Sequence, residues 1–279
     1  MTGWLGKVLH IDLAGGEVRT ESPPQDVYYN YIGGRGLAGH YLRERVSLGW
    51  DDSAMPLLLF TGPLVGTAAP TSGRMAIMSR SPLTGAVGDC SVGGRFGTEM
   101  KRAGLDGLVI TGHSEKLCGL EITGGSVTIT DASPMAGMDT AAAAKALRPR
   151  GAFAVIGPAA ENGVRFSCVM VDGGHAAGRC GLGLVFAAKK LKYIVVKGGG
   201  EVPVHDPAAL EKAREDIYRL AAASPILSGE HGLMHYGTGA LFDLTHARRM
   251  MPTANFSKTR FQDAPSLNAH AYQKAYAPK

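Results

Sequence analysis

No pair of cysteines in this 279-residue sequence stands at metal-binding or redox spacing: Cys90, Cys118, Cys168 and Cys180 are far apart and no C-x-x-C occurs. That absence removes a readable zinc or iron–sulfur motif and a disulfide framework, and it makes a reducing compartment, the cytoplasm, the expected location. Long apolar runs are also missing. No stretch approaches the roughly 20 residues that cross a bilayer, and the opening MTGWLGKVLHIDL has no charged segment leading into an apolar one. Neither a membrane span nor a secretory leader is expected. Aromatic residues make up only 7% and do not interleave with the basic ones, so the net charge of +5 reads as solvated surface and not as a nucleic-acid interface. None of the nine histidines forms a metal pair at helical spacing, and no Ser/His/Asp set or carboxylate pair marks a hydrolytic centre.

What the sequence does have is glycine, 39 residues of it, enough for several loops whose backbone amides, with nearby arginines, suit a phosphate-bearing ligand. The chain opens with alternating apolar residues over 5–13 and 17–20 around Gly15-Gly16, the pattern of a hairpin. Helical spacing follows over 26–32 and 37–46, then buried strands over 57–61 and 74–80, a helix over 96–103 and a strand over 107–112. The order then repeats: a hairpin over 118–130, an Ala-rich helix over 140–147 with Asp139 as N-cap, strands over 153–156 and 165–171, a helix over 184–191 and a strand over 193–196. The two halves hint at an internal duplication. Gly198-Gly199-Gly200 suggests a boundary between a sheet domain, 1–200, and a helical segment, 201–279. In the latter, helices are expected from Pro207 through 223 and over 238–249, with loop from 252 onward.

Four glycine-containing loops punctuate the first domain. The first runs from Thr61 to Arg74, the second leads from Ser81 through Gly93 and Gly94 into a helix, the third is 157–163 and the fourth is 172–183. A helix start opened by paired glycines presents free N–H donors to an anion, although the same residues also make a tight strand-to-helix connection. Asp89 and Glu161 are best read as turn caps. Gly34-x-Gly36-x-x-Gly39 matches the dinucleotide fingerprint formally, but a Tyr-rich helical segment precedes it where a strand is required.

Taken in order, GWLGKVLHIDL, IGGRGLA, FTGPLVGTAAPTSGR, SRSPLTG, GGRFGTEMKRAGLDGLVITG, IGPAAENGVRFSCVMVDGG, AAGRCGLGLVFAAKKLKYIVVKG, YGTGALFDL and PTANF resemble the N-terminal part of the tungsten aldehyde ferredoxin oxidoreductase family. The resemblance covers essentially the whole chain and implies an α+β fold: two β-sheets with approximate twofold pseudo-symmetry plus helices, then the start of a helical domain. It implies a tungsten (or molybdenum) bis-pterin cofactor with a bridging magnesium. Arg74 would meet a pterin phosphate or that magnesium, Ser91, Gly93 and Gly94 would lie against the pterin, and His175, Ala176, Ala177, Gly178 and Arg179 would hold the other side. Two departures stand out, since the family often has Asn where Ser91 stands and Arg where His175 stands; each removes a donor. The cysteine run for a [4Fe–4S] cluster is expected only on a C-terminal continuation or complementary subunit, with ferredoxin or another iron–sulfur protein as electron partner. A homo-oligomer, a benzoyl-CoA reductase-type subunit and a non-catalytic assembly module are further readings, and exposed apolar surface seeking a partner is expected on the helical segment.

Overall fold

The computed structural model describes residues 2–276, and so the last three residues of the expected C-terminal loop lie outside the described part. The chain divides into two compact units, 1–207 and 208–279. In the first, twelve strands form two six-stranded sheets. The first sheet contains β1 (Val8–Asp12), β2 (Val18–Glu21), β3 (Leu57–Thr61), β4 (Met75–Arg80), β5 (Val87–Val92) and β6 (Gly107–Thr111) in the order β2-β1-β6-β3-β4-β5. The second contains β7 (Cys118–Thr123), β8 (Ser126–Asp131), β9 (Ala152–Val155), β10 (Val169–Val171), β11 (His175–Ala177) and β12 (Leu191–Lys197) in the order β8-β7-β12-β9-β10-β11. Element by element the two orders correspond. In each, a hairpin strand runs parallel to the last strand of its half (β1 with β6, β7 with β12) and the other pairings are antiparallel. The duplication hinted at by the sequence is thus a repeated topology.

Helices complete the correspondence. Helix α1 (Gln25–Tyr31) and α2 (Arg35–Leu42) lie between β2 and β3, and α3 (Phe96–Arg102) between β5 and β6. Their counterparts are α4 (Thr140–Leu147), before β9, and α6 (Leu182–Ala188), before β12, with the short α5 (Pro158–Glu161) between β9 and β10. Strands β3 and β6 read as nearly unbroken apolar runs because both of their faces are buried, and β12 is buried likewise although Lys192 interrupts its apolar sequence. Helix α3 packs on β12 and β9 of the second sheet and α6 on β4 of the first, so the largest apolar cluster, which includes Ile77, Phe96, Met100, Ile156 and Phe186, belongs to both halves. Outer clusters form where Tyr28, Leu37 and Leu42 cover the first sheet and where Ala143, Ala144 and Leu147 cover the second.

Several expectations need correction. Residues 87–92, read as loop, are strand β5, because Gly88, Cys90 and Val92 alternate inward against the core while Val87 and Ser91 face out. The fourth loop likewise contains a strand, β11, and only 169–171 of the expected 165–171 strand is paired. Helix α6 starts two residues earlier than expected, at Leu182. Asp139 caps α4 as expected, accepting the Ala142 amide at 2.7 Å. The glycine-rich start of α2 follows a helix, so the 34–39 glycines are no dinucleotide turn.

The second unit contains α7 (Pro207–Ala223), whose first residue closes the first unit, and then α8 (Pro225–Ser228), α9 (Leu233–Tyr236), α10 (Phe242–Ala247) and α11 (Ala269–Tyr276), the last in a stretch expected to be loop. The helix expected over 238–249 is a 3₁₀ turn, Gly237–Leu241, followed by α10. Of its described residues only Gly232 and Ala264 are buried, whereas Leu220, Ile226, Met234 and Phe256 are exposed.

Candidate functional site

The expected residues gather where β5, the edge of the first sheet, runs beside β11, the edge of the second. Arg74 immediately precedes β4 and reaches across to β5: its Nε donates to Ser91 Oγ at 2.9 Å and its Nη2 to the Ser91 carbonyl at 2.6 Å. Ser91 therefore presents acceptors to the guanidinium at the position where an amide was expected. Gly93 and Gly94 follow the strand and lie against His175; a Cβ on Gly93 would stand 3.1 Å from His175 Nδ1. On the far side of the seam, both backbone groups of Arg179 meet Cys90, the carbonyl accepting from Sγ at 3.1 Å and the amide donating to it at 3.3 Å. Arg74, Arg95 and Arg179 are all exposed along this line.

Arg74 and Ser91 also line a cleft of about 490 Å³, whose other walls include Gly34, Arg35, Gly62, Pro63 and Ala76. Gly93, Gly94 and 175–179 lie beside this cleft on the seam and do not line it. At Gly62 nothing lies within 4 Å of a would-be Cβ, and at Gly178 the nearest atom is the Ala176 Cβ at 3.8 Å; neither has a left-handed backbone. The fold itself does not demand glycine at these two places, and a ligand approaching the backbone closely would. Gly181 differs: a Cβ there would collide with the Arg165 carbonyl at 1.8 Å.

Two of the amides at the start of α3, offered by the sequence to an anion, are taken by the protein itself. Asp172 and Gly173, with φ of +52° and +77°, make the turn between β10 and β11. From that turn the Asp172 carboxylate accepts the Arg95 amide at 2.5 Å and the Phe96 amide at 3.2 Å through Oδ2, and the Phe153 amide at 3.0 Å through Oδ1. A hairpin of the second half thus caps a helix of the first. Nothing in the local sequence signals this, because the two segments are more than 70 residues apart.

Asp89 is not a turn cap but a strand residue paired with Arg35 at 2.5 Å. Glu161 holds the buried Lys192 ammonium and accepts the Gly137 amide at 2.7 Å. His10 lies on β1 against Glu21 at 2.5 Å, His40 on α2 between Tyr31 and Tyr41, and burial outweighs the carboxylate to pull the His10 imidazole below its ordinary value.

A larger hollow of about 570 Å³, unforeseen from the sequence, opens at the other edge of the first sheet between His10, Asp12, Glu17, Arg19, Tyr41, Glu44 and Arg45. Its three carboxylates against two guanidinium groups make it a poor seat for an anion, whereas the seam offers three exposed guanidinium groups and glycine backbone. The exposed donors and the two open glycines fit a ligand bearing phosphates or other anionic groups. Among the described residues no cluster of three or more His, Cys, Asp or Glu side chains is arranged to hold a metal ion.

The family described as aldehyde ferredoxin oxidoreductase, N-terminal domain, matches residues 8–198. The tungsten-containing aldehyde ferredoxin oxidoreductase of Pyrococcus abyssi (strain GE5 / Orsay) is 36% identical over 284 residues, which are 99% of this chain and 46% of that protein. The protein of the same description from Thermococcus kodakarensis is 36% identical over 288 residues, with the same coverage. The aliphatic sulfonate oxidoreductase, WOR-like subunit, of Pyrococcus furiosus is 29% identical over 92% of this chain. Among solved structures, the active-site complex BamBC of benzoyl coenzyme A reductase with 1,5-dienoyl-CoA superposes with a TM-score of 0.80 at 26% identity, covering 88% of this chain and 40% of that one. The chain spans less than half the length of these relatives.

Proposed function

The chain belongs to the aldehyde ferredoxin oxidoreductase family, and from that premise we propose that it holds a tungsten (or molybdenum) bis-pterin cofactor along the β5–β11 seam, as part of an oxidoreductase that converts aldehydes to carboxylates. When bound, that cofactor supplies the two-electron redox chemistry, whereas the protein binds, orients and charge-balances it. Arg74 and Arg179 would pair with its phosphates. Gly93, Gly94 and the backbone of 176–178 would carry the pterin edges, and His175 would close one end as a shorter donor than arginine. Residues 1–200 form the cofactor-binding domain in this reading, and 201–279 open a helical domain. The single observation that carries the reading is the line of exposed arginines along the seam, with Gly178 on it and Gly62 in the adjoining cleft keeping their side-chain space open.

The relatives extend over more than twice the aligned length, and the remainder supplies, in this reading, a [4Fe–4S] cluster and the route to a ferredoxin or other iron–sulfur partner in the cytoplasm. The exposed Leu220, Ile226, Met234 and Phe256 of the second unit suit burial by that remainder. No described helix is long and apolar enough to cross a membrane. A second reading, a benzoyl-CoA reductase-type subunit, is favoured by the likeness to BamBC alone.

The test is metal analysis of the chain produced together with its complementary polypeptide. Near-stoichiometric tungsten or molybdenum is expected. Arg74→Ala, which removes a charge-assisted contact worth about 1.5–3 kcal/mol, should lower retained metal at limiting cofactor by roughly tenfold or more. A fully folded complex without metal or pterin would favour the non-catalytic assembly module.

A further inference from the structure

Cys90 and Cys180 come from different halves of the fold, yet each sulfur rests on the residue that precedes the other cysteine. Cys90 Sγ engages the backbone of Arg179 at 3.1 and 3.3 Å, and Cys180 Sγ approaches the Asp89 carbonyl at 3.9 Å. Gly88 and Cys90 point to the same side of β5, and a Cβ on Gly88 would stand only 3.0 Å from the Cys180 Cβ. Cys90 lies in the central apolar cluster and Cys180 packs against it, half-buried. Cys180 also holds a left-handed backbone, φ +63°, a conformation of a β-carbon-bearing residue that persists only when its surroundings impose it. The other two thiols are elsewhere: Cys118 begins β7, and Cys168 lies beside Met170.

We propose that Cys90 and Cys180 form a dithiol–disulfide site that closes across the seam on exposure to a hydroperoxide. The more accessible Cys180 thiol is oxidised first: its sulfur bonds to one peroxide oxygen, the O–O bond breaks, and a sulfenic acid and water (or an alcohol) result. Cys90 sulfur then attacks Cys180 sulfur, the S–O bond breaks, and a second water leaves with the Cys90 proton. Two thiols and one hydroperoxide give one disulfide, one water and one alcohol or second water. Burial pushes the Cys90 thiol above its ordinary range, which keeps it protonated and slow to meet peroxide itself, so oxidation begins at the more accessible Cys180. Ser91 and Arg179 are the chain neighbours of the two sulfurs, so closure would tie together the strands that present them; that consequence for cofactor retention rests on the proposed function, whereas the thiol chemistry does not.

The experiment treats the anaerobically purified full chain with hydrogen peroxide, alkylates the remaining thiols under denaturing conditions and maps them by peptide mass spectrometry. Expected is the joint loss of two of the four thiols, with a peptide linking Cys90 to Cys180, lighter by two hydrogens and restored by dithiothreitol. In Cys90→Ser, Cys180 should stop at a sulfenic acid trapped by dimedone, and no linked peptide should form. The inference is overturned if wild-type thiols oxidise singly without that peptide, if the link joins Cys118, Cys168 or a second chain, or if both thiols stay alkylatable after peroxide. The wild-type map needs no variant to fold. Tungsten content of the untreated protein reports separately on the cofactor reading.

Discussion

The two halves of the first unit share one strand order but bury their charges in different ways. In the first half, Lys101 and Asp106 are both fully buried and pair at 2.7 Å, and Asp106 also accepts the Leu5 and Gly6 amides and the Tyr28 hydroxyl. In the second, Lys192 is as deeply buried, but its partner Glu161 keeps 19% of its side chain in solvent. Lys189, at the end of α6, has no carboxylate at ion-pair distance among the described residues and meets only the Ser53 and Gly112 carbonyls at 3.5 and 3.4 Å. Repetition of topology therefore does not repeat the polar interior. The apolar pattern sets the strand order, and each buried charge is accommodated by whatever loop happens to cross it.

The comparison can be broken hardest at Asp106. Asp106→Ala leaves an uncompensated buried ammonium and three unpartnered donors, and it should lower the free energy of urea unfolding by about 3–5 kcal/mol. Glu161→Gln, the counterpart in the second half, should cost about 2 kcal/mol, because water already screens part of that carboxylate. Equal losses from the two would refute the distinction. Asp172→Ala tests the link between halves: removing the cap of α3 should cost about 1–2 kcal/mol, and hydrogen exchange at the Arg95 and Phe96 amides should speed up with it.

The smallest effect concerns Lys189, whose ammonium is pushed down to about 8 by burial, against the raising influence of Asp12 and Asp52. The folded value lies below the unfolded one near 10.4. Between them the unfolded chain binds more protons, so this group makes stability rise with pH from about 8 to 10, and its cost is fully present at pH 7. Lys189→Met should stabilise the protein by about 1 kcal/mol at pH 7 and flatten that rise, as read from urea midpoints at several pH values. A variant less stable at pH 7 would show that the two carbonyl contacts outweigh the burial cost.

Much of the fold could be read in advance because its interior strands are largely apolar runs. The strands expected over 57–61, 107–112 and 193–196 announce themselves without knowledge of their neighbours and fall within or beside β3, β6 and β12. Strands β5 and β11 could not be read so, since Gly88 and Asp89, or His175 and Ala176, carry little strand propensity. They are strands because β4 and β10 offer them hydrogen-bonding edges. The candidate site lies between these two edge strands, and recognising its arginines and glycines depended on ordered motifs, not on local pattern. The capture of the α3 amides by Asp172 was invisible for the same reason.

By itself, then, the sequence determined the two hydrophobic sheets, their repeated order of hairpin, helix and strand, and the supply of glycine and arginine for an anion-binding loop. These follow from short-range periodicity, which a chain carries wherever it folds. Only the tertiary structure decided that β5 meets β11, that Asp172 rather than a ligand caps α3, and that Cys90 and Cys180 exchange neighbours. Those are contacts between segments some 75–90 residues apart, set by how two packed sheets bring their edges together.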